Sequence, residues 1–402
     1  MSAVETPAGE RIHYMDNLRA LAMLVGVVFH AALAYSPLMH PFWPLADAGR
    51  SIAVDAGAWF LHAFRMPLFF VVAGYFAALL AARRGMGGLF QNRCARVLAP
   101  LLLFLPLVLA SLQWLTVNAA ATAVHPSPAL AWIRAYVDEH GAIPSASGWA
   151  HLWFLFYLLL FTLLVWVASA LELRRIGDRI AALHPTVLPL ATPLLLAPAL
   201  ACVSVPWPAP ESFVPALWAL VFFGVYFAIG YQTHHGSAIL DRLRSQSPFL
   251  LSGAFAAYAA LFWLTDGLAP TRHAPLRHFL HAVLQAYAGF WMTLCCLQAA
   301  RQWLDGTSAT LRWLADASYW VYLVHLPLLF AIQYQLLDMP IHWTAKFAIS
   351  TFSTLALSFA SYQLLVRHTV IGRLLNGSLP RADGKSRVPP AIGSGHRQPW
   401  AG

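Results

Sequence analysis

The stretch LRALAMLVGVVFHAALAY, residues 18–35, decides how the rest of the chain is read. It is long and apolar enough to cross a hydrocarbon layer, which takes about 20 residues of helix. Yet it opens on Arg19 and carries His30 near its middle. Eleven residues at about 100° each make three turns plus roughly 20°, so the two side chains share one helix face, about 16 Å apart along the axis. A snorkelling arginine is ordinary by itself. An imidazole at mid-membrane depth marks a functional group, and a cation on the same face strengthens that reading.

The composition agrees with a membrane helix. Of 402 residues, 59% are hydrophobic and only 10% charged, whereas soluble domains carry about 25% charged residues. The net charge of +9 is scattered over short loops, which points to membrane topology and not to a nucleic-acid partner. Cys94, Cys202, Cys295 and Cys296 have neither metal-site nor redox spacing and are read as small apolar residues. Residues 20–29 and Ala32-Leu33-Ala34 have some look of a cleaved signal peptide. Asp16, Asn17, Arg19 and His30 spoil that pattern and many later spans supply their own insertion, so the first helix is read as retained.

Hydropathy predicts an all-α polytopic protein with ten spans: 20–38, 57–82, 97–117, 151–171, 186–204, 213–232, 248–265, 279–299, 317–336 and 344–366. Residues 1–10 and 371–402 read as disordered tails around a membrane domain of 11–370. With the N-terminus in the cytoplasm, nineteen of the 25 Lys and Arg residues fall on the cytoplasmic side. Both termini are therefore expected there, with the long connection 118–150 outside. All sixteen acidic residues lie outside the ten spans, which counts against a proton-coupled carrier.

Other polar groups recur at span ends and interiors. In HAFRMPLFFVVAGYF, residues 62–76, His62 and Arg65 share a face, and interfacial anchoring and substrate binding explain them equally; Gly74 reads as a close-packing position. In FQNRCARVLAP, residues 90–100, Arg93 and Arg96 form a second i,i+3 pair. With Arg83 and Arg84 they suit either phosphate binding or positive-inside anchoring. His151 opens an aromatic span, and His325 lies about 12 Å into its own span, close to the depth of His30, with Pro327 just beyond.

Taken in order, DNLRALAMLVGVVFH, FRMPLFFVVAGYF, NRCARVLAP, HLWFLFYLL and SYWVYLVHLPL resemble the membrane acyltransferase-3 family over about residues 11–370. Within it they are most similar to the branch that succinylates periplasmic glucans. The resemblance implies about ten helices in a bacterial inner membrane, a cytoplasmic acyl-CoA donor, an extracytoplasmic glycan acceptor, and no permanently bound cofactor or metal. It assigns Arg19 and His30 to the family's essential arginine and histidine, and Arg93 and Arg96 to its basic pair. Two residues separate that pair here, against one in many polysaccharide acetyltransferases, so the acyl group is left as succinyl or acetyl.

On that basis Arg19, Arg93 and Arg96 are expected to hold coenzyme A phosphates, and His30 to act as general base or acyl carrier. His325, Tyr319 and Tyr322 are candidates to orient His30 or the acceptor, and His62, Arg65 and His151 to line the acceptor entrance. Two other classes compete: a glycan or lipid transporter, and a non-catalytic membrane partner in glycan assembly. Neither intramembrane carboxylates nor a detectable repeat favours the transporter. The H-x-x-x-x-D signature of glycerolipid acyltransferases occurs at none of the seventeen histidines.

Overall fold

The computed structural model describes residues 13–144, 148–171, 186–235, 238–265 and 275–376. Residues 1–10 and most of the C-terminal tail, both expected to be disordered, lie outside them. The described residues form helices and connecting turns. The principal helices are α1 (His13–Ala32), α2 (Ile52–Arg93), α3 (Ala99–Thr122), α4 (Pro128–His140), α5 (Trp153–Ala170), α6 (Val187–Leu200) and α7 (Leu217–His235). They continue as α8 (Ala238–Leu243), α9 (Ser247–Leu264), α10 (Pro275–Trp303), α11 (Ala309–Leu336), α12 (Trp343–Ser361) and α13 (Val370–Asn376).

Seven helical runs are long and apolar enough to cross a membrane. One of them, Ile52–Thr122, covers two expected spans, 57–82 and 97–117. The loop expected at 83–96 is instead helical: α2 runs on to Arg93, and a π-type turn at Cys94–Leu98 joins it to α3. No proline interrupts residues 83–96, and the Leu, Gln, Arg and Ala residues there are good helix formers. A single break occurs at Gly85 (φ 68°, ψ 177°), a conformation essentially reserved for glycine. Spans expected at 186–204 and 213–232 appear as α6 and α7. At 14 residues α6 is about 21 Å long, short of a bilayer's hydrocarbon core.

Helix ends carry ordinary capping chemistry. The hydroxyls of Ser51, Ser127 and Ser308 accept from backbone N–H groups in the first turns of α2, α4 and α11. Helix α4 lies within the connection 118–150, with Pro128 at its start and Gly141 in the left-handed conformation at its end. Arg134 donates to the carbonyls of Ala120 (2.6 Å) and Ala123 (2.9 Å), satisfying the end of α3. Helix α13 carries buried Leu375.

Helix α1 is the central element, packed against α2, α10, α11 and α12. Its partners show that α1 and α11 run parallel. Asn17 donates to the Leu304 carbonyl just before α11, Arg19 to Ala315, and Gln333 to Ala31. Helices α2 and α7 meet backbone to backbone. A side-chain carbon at Gly74 would collide with the Phe227 carbonyl, and one at Gly230 with the Val71 carbonyl, so the close-packing reading of Gly74 holds. The outward faces of α3, α5 and α6 expose Leu102, Leu107, Trp114, Leu163, Trp166 and Leu195, the apolar surface a lipid phase would cover.

Candidate functional site

One cavity of about 420 Å³ runs through the bundle beside α1. All ten side chains singled out in the sequence line it: Arg19, His30, His62, Arg65, Arg93, Arg96, His151, Tyr319, Tyr322 and His325. At one end stand Arg19, Arg83, Arg84, Asn92, Arg93 and Arg96. Helix α1 brings Arg19. The helical run from α2 through the π-type turn, bent only at Gly85, brings the rest, so the absence of a long loop at 83–96 is what gathers them. Arg19 is half-tied, to the Ala315 carbonyl (3.2 Å) and the Asp16 carboxylate (3.4 Å), and lies 5.8 Å from the Phe76 ring centre. Arg93 donates to the Ala73 carbonyl at 3.4 Å while its Nε has no partner. Tyr319 donates to the Arg96 carbonyl at 2.7 Å, tying α11 to the π-type turn.

Deeper in, the parallel helices α1 and α11 bring two imidazoles together. His30 stands seventeen residues into α1 and His325 sixteen into α11. Nδ1 of His30 lies 2.9 Å from Nε2 of His325. Nδ1 of His325 faces the carbonyls of Tyr322 (2.8 Å) and Val321 (3.1 Å). Carbonyls only accept, so that nitrogen carries the proton, which leaves His325 Nε2 bare in the neutral ring. His30 Nδ1 must then donate to it. The network therefore fixes His30 as the tautomer whose Nε2 lone pair is free, and that nitrogen has no partner among the described residues. A fixed imidazole with its far nitrogen held by an acceptor is poised as base or nucleophile.

The remaining predicted residues split by task. His151 and Tyr322 hold each other: His151 Nε2 donates to the Tyr322 carbonyl (3.1 Å), and the Tyr322 hydroxyl to the His151 carbonyl (2.7 Å). His151 also sits edge-on to His325, centroids 5.0 Å apart. His62 donates from Nε2 to the Trp207 carbonyl (3.0 Å) and stacks on Phe29. Interfacial anchoring does not hold for His62 and Arg65, which are buried inside the bundle, as is His151. Arg65 sits against α1, its guanidinium carbon 4.7 Å from the Phe29 ring centre.

Sequence reasoning missed the Pro-rich connection between α6 and α7. Trp207 there is fully buried, and both its backbone N–H and its indole N–H donate to Gln285. The connection carries Ala209 and Glu211 to the end of the cavity opposite the arginines, and the Trp149 N–H clamps the Glu211 carbonyl at 2.6 Å. Glu211 is the one carboxylate among the residues lining the cavity. Its side chain keeps open surface, yet so much protein surrounds the carboxyl that burial pushes its pKa up to about 7. No charge pattern in the segment pointed there; only its tryptophan and prolines set it apart.

The family described as Acyltransferase domain, acyltransferase-3, matches residues 12–363. "Glucans biosynthesis protein C" of Salmonella typhi is 27% identical over 343 residues, covering 82% of this chain and 84% of that protein. The proteins of the same name from Salmonella typhimurium and Salmonella schwarzengrund match to the same extent. No solved structure matches.

Proposed function

The chain belongs to the acyltransferase-3 family and is an acyltransferase, and on that premise we propose that it moves an acyl group across a membrane. The donor is a cytoplasmic acyl-CoA carrying succinyl or acetyl; the acceptor is a hydroxyl of an extracytoplasmic glycan. A periplasmic glucan is the acceptor of choice, given the likeness to proteins named for glucan biosynthesis. The protein resides in the bacterial inner membrane, with ten spans and both termini in the cytoplasm, in keeping with the distribution of its basic residues. It binds no resident cofactor or metal.

The observation that carries this reading is the free Nε2 of His30, facing a cavity whose other end is ringed by arginines. Arg19, Arg93 and Arg96 hold the coenzyme A phosphates by charge-assisted bonds. The pantetheine arm then follows α1 for the roughly 16 Å that separates Arg19 from His30. Nε2 takes the proton of the acceptor hydroxyl, the oxygen attacks the thioester carbonyl, and the coenzyme A thiolate leaves and recovers that proton. Alternatively Nε2 itself attacks the thioester and passes the acyl group on. Both routes use the same tautomer. His325 orients the base, His62, His151, Tyr322 and Arg65 form the acceptor-side wall, and Tyr319 braces the arginine end through the Arg96 carbonyl.

The test is to incubate purified protein with succinyl-CoA or acetyl-CoA and soluble β-gluco-oligosaccharides, measuring free thiol and the mass of the sugar. Ester-bearing oligosaccharide formed at the expense of acyl-CoA is the expected result. Mass spectrometry of surface and periplasmic glycans from cells with and without the gene identifies the native pair. Unchanged glycans together with no thiol release would refute the reading.

A further inference from the structure

Arg65 is a cation without an anion. It lies thirteen residues into α2 and is only 7% exposed. Its guanidinium sits in the notch left by Gly26, where a side-chain carbon would come within 3.2 Å of Nη1. It also lies over the ring of Phe29, whose centre is 5.3 Å from that of His30. Arg65 and His30 both line the cavity. A guanidinium has five N–H donors, yet this one makes no hydrogen bond or ion pair with any described residue, and its Nε is enclosed without a partner. The aromatic face offsets only part of the cost of removing an ion from water, so a buried charge is ordinarily paired. Glu211, the one carboxylate lining the cavity, forms no ion pair with it among the described residues.

We infer that Arg65 is a catalytic residue whose guanidinium receives the thioester carbonyl oxygen as that oxygen becomes an oxyanion. The assignment rests on the acyl-transfer reading and adds the group that reading lacks. Attack by the acceptor oxygen, or by His30 Nε2, forms one bond to the carbonyl carbon and moves the C=O π pair onto oxygen. Collapse returns that pair, breaks the C–S bond and expels the thiolate. When the acceptor oxygen attacks, the thiolate takes the proton held on His30 Nε2. When Nε2 attacks, the thiolate leaves as the anion and is protonated by the acceptor hydroxyl as that oxygen displaces the acyl group from Nε2. Negative charge thus appears transiently beside His30, where Arg65 waits with unpaired donors. A preorganised donor is most effective at such a position, because it needs no reorganisation as the charge develops.

The test uses the full-length protein in detergent, with acetyl-CoA and succinyl-CoA as donors and β-gluco-oligosaccharides as acceptors. S-ethyl coenzyme A, a thioether with no carbonyl, serves as the binding probe. Arg65→Met should lower kcat about 10²–10³-fold with both donors and leave thioether affinity unchanged. Arg65→Lys should recover part of kcat. The thermal midpoint of Arg65→Met should not fall, since no partner is orphaned. Unchanged kcat, a matching loss of thioether affinity, or a loss confined to succinyl-CoA would each overturn the assignment. Failure of the wild-type protein to release coenzyme A with either donor would count instead against acyl transfer itself.

Discussion

His325 Nε2 accepts the Nδ1 proton of His30 across 2.9 Å, joining two helices whose contacting residues lie nearly 300 positions apart in the chain. His30→Ala should lower turnover by about 10²–10⁴-fold, the range for a lost general base, while the protein still inserts and purifies. His325→Phe keeps a ring but no acceptor and should cost about 10–100-fold in kcat at unchanged donor KM. If the pair acts as a unit, the double variant should be no worse than His30→Ala alone. Losses that add would show that the two histidines work separately.

The arginine end should affect binding more than chemistry. Arg93→Ala and Arg96→Ala are expected to weaken coenzyme A binding, and the Lys replacements to restore only part of it, because a point charge lacks the guanidinium fork. His30→Ala should leave that binding near wild type. Calorimetric titration of coenzyme A into each purified variant checks this. Equal affinities throughout would leave the arginines as topology signals.

Packing predicts a contrast between two glycines of α2. Gly74→Ala drives a methyl group into the Phe227 carbonyl and should destabilise the protein by about 1–3 kcal/mol. Gly57 meets nothing within 4 Å, so Gly57→Ala should be neutral or stabilising by up to about 1 kcal/mol. Thermal unfolding in detergent reads both, and similar midpoints would contradict the described α2–α7 contact.

Glu211 gives a pH signature. Burial raises its pKa from 4.5 to about 7, so between those values the folded state holds a proton that the unfolded state has released. The associated stability is complete below pH 4.5 and is lost as pH rises through 7. Wild-type protein should therefore lose more thermal stability than Glu211→Gln over that interval. Parallel profiles for the two proteins would show that the carboxyl does not titrate in this way.

Much of the site was legible because its chemistry is written in residues that are costly in a membrane. Arg19, His30 and His325 stood out against apolar surroundings, and a period of 3.6 residues put the first two on one face. That His30 and His325 meet followed from equal depth, a one-dimensional property. What escaped was tertiary. The burial of Arg65 against Phe29 depends on how α1 rests on α2, and the Pro-rich connection acquires meaning only when Trp207 docks on His62 and Gln285. The continuity of α2 into α3 was hidden by four arginines that read equally well as a loop.

Gly85 sets the angle at which the two halves of the arginine end meet. A side chain there would touch nothing within 4 Å, so torsion alone, and no neighbour, demands glycine at the break. Arg83 and Arg84 stand before the bend and Asn92, Arg93 and Arg96 beyond it, all on one cavity wall. The shape of this end of the cavity thus depends on the Gly85 backbone together with the contacts of Arg93 with Ala73 and of Arg96 with Tyr319. A substitution at Gly85 therefore reshapes the arginine end through its torsion angles and not through a clash with a packed neighbour.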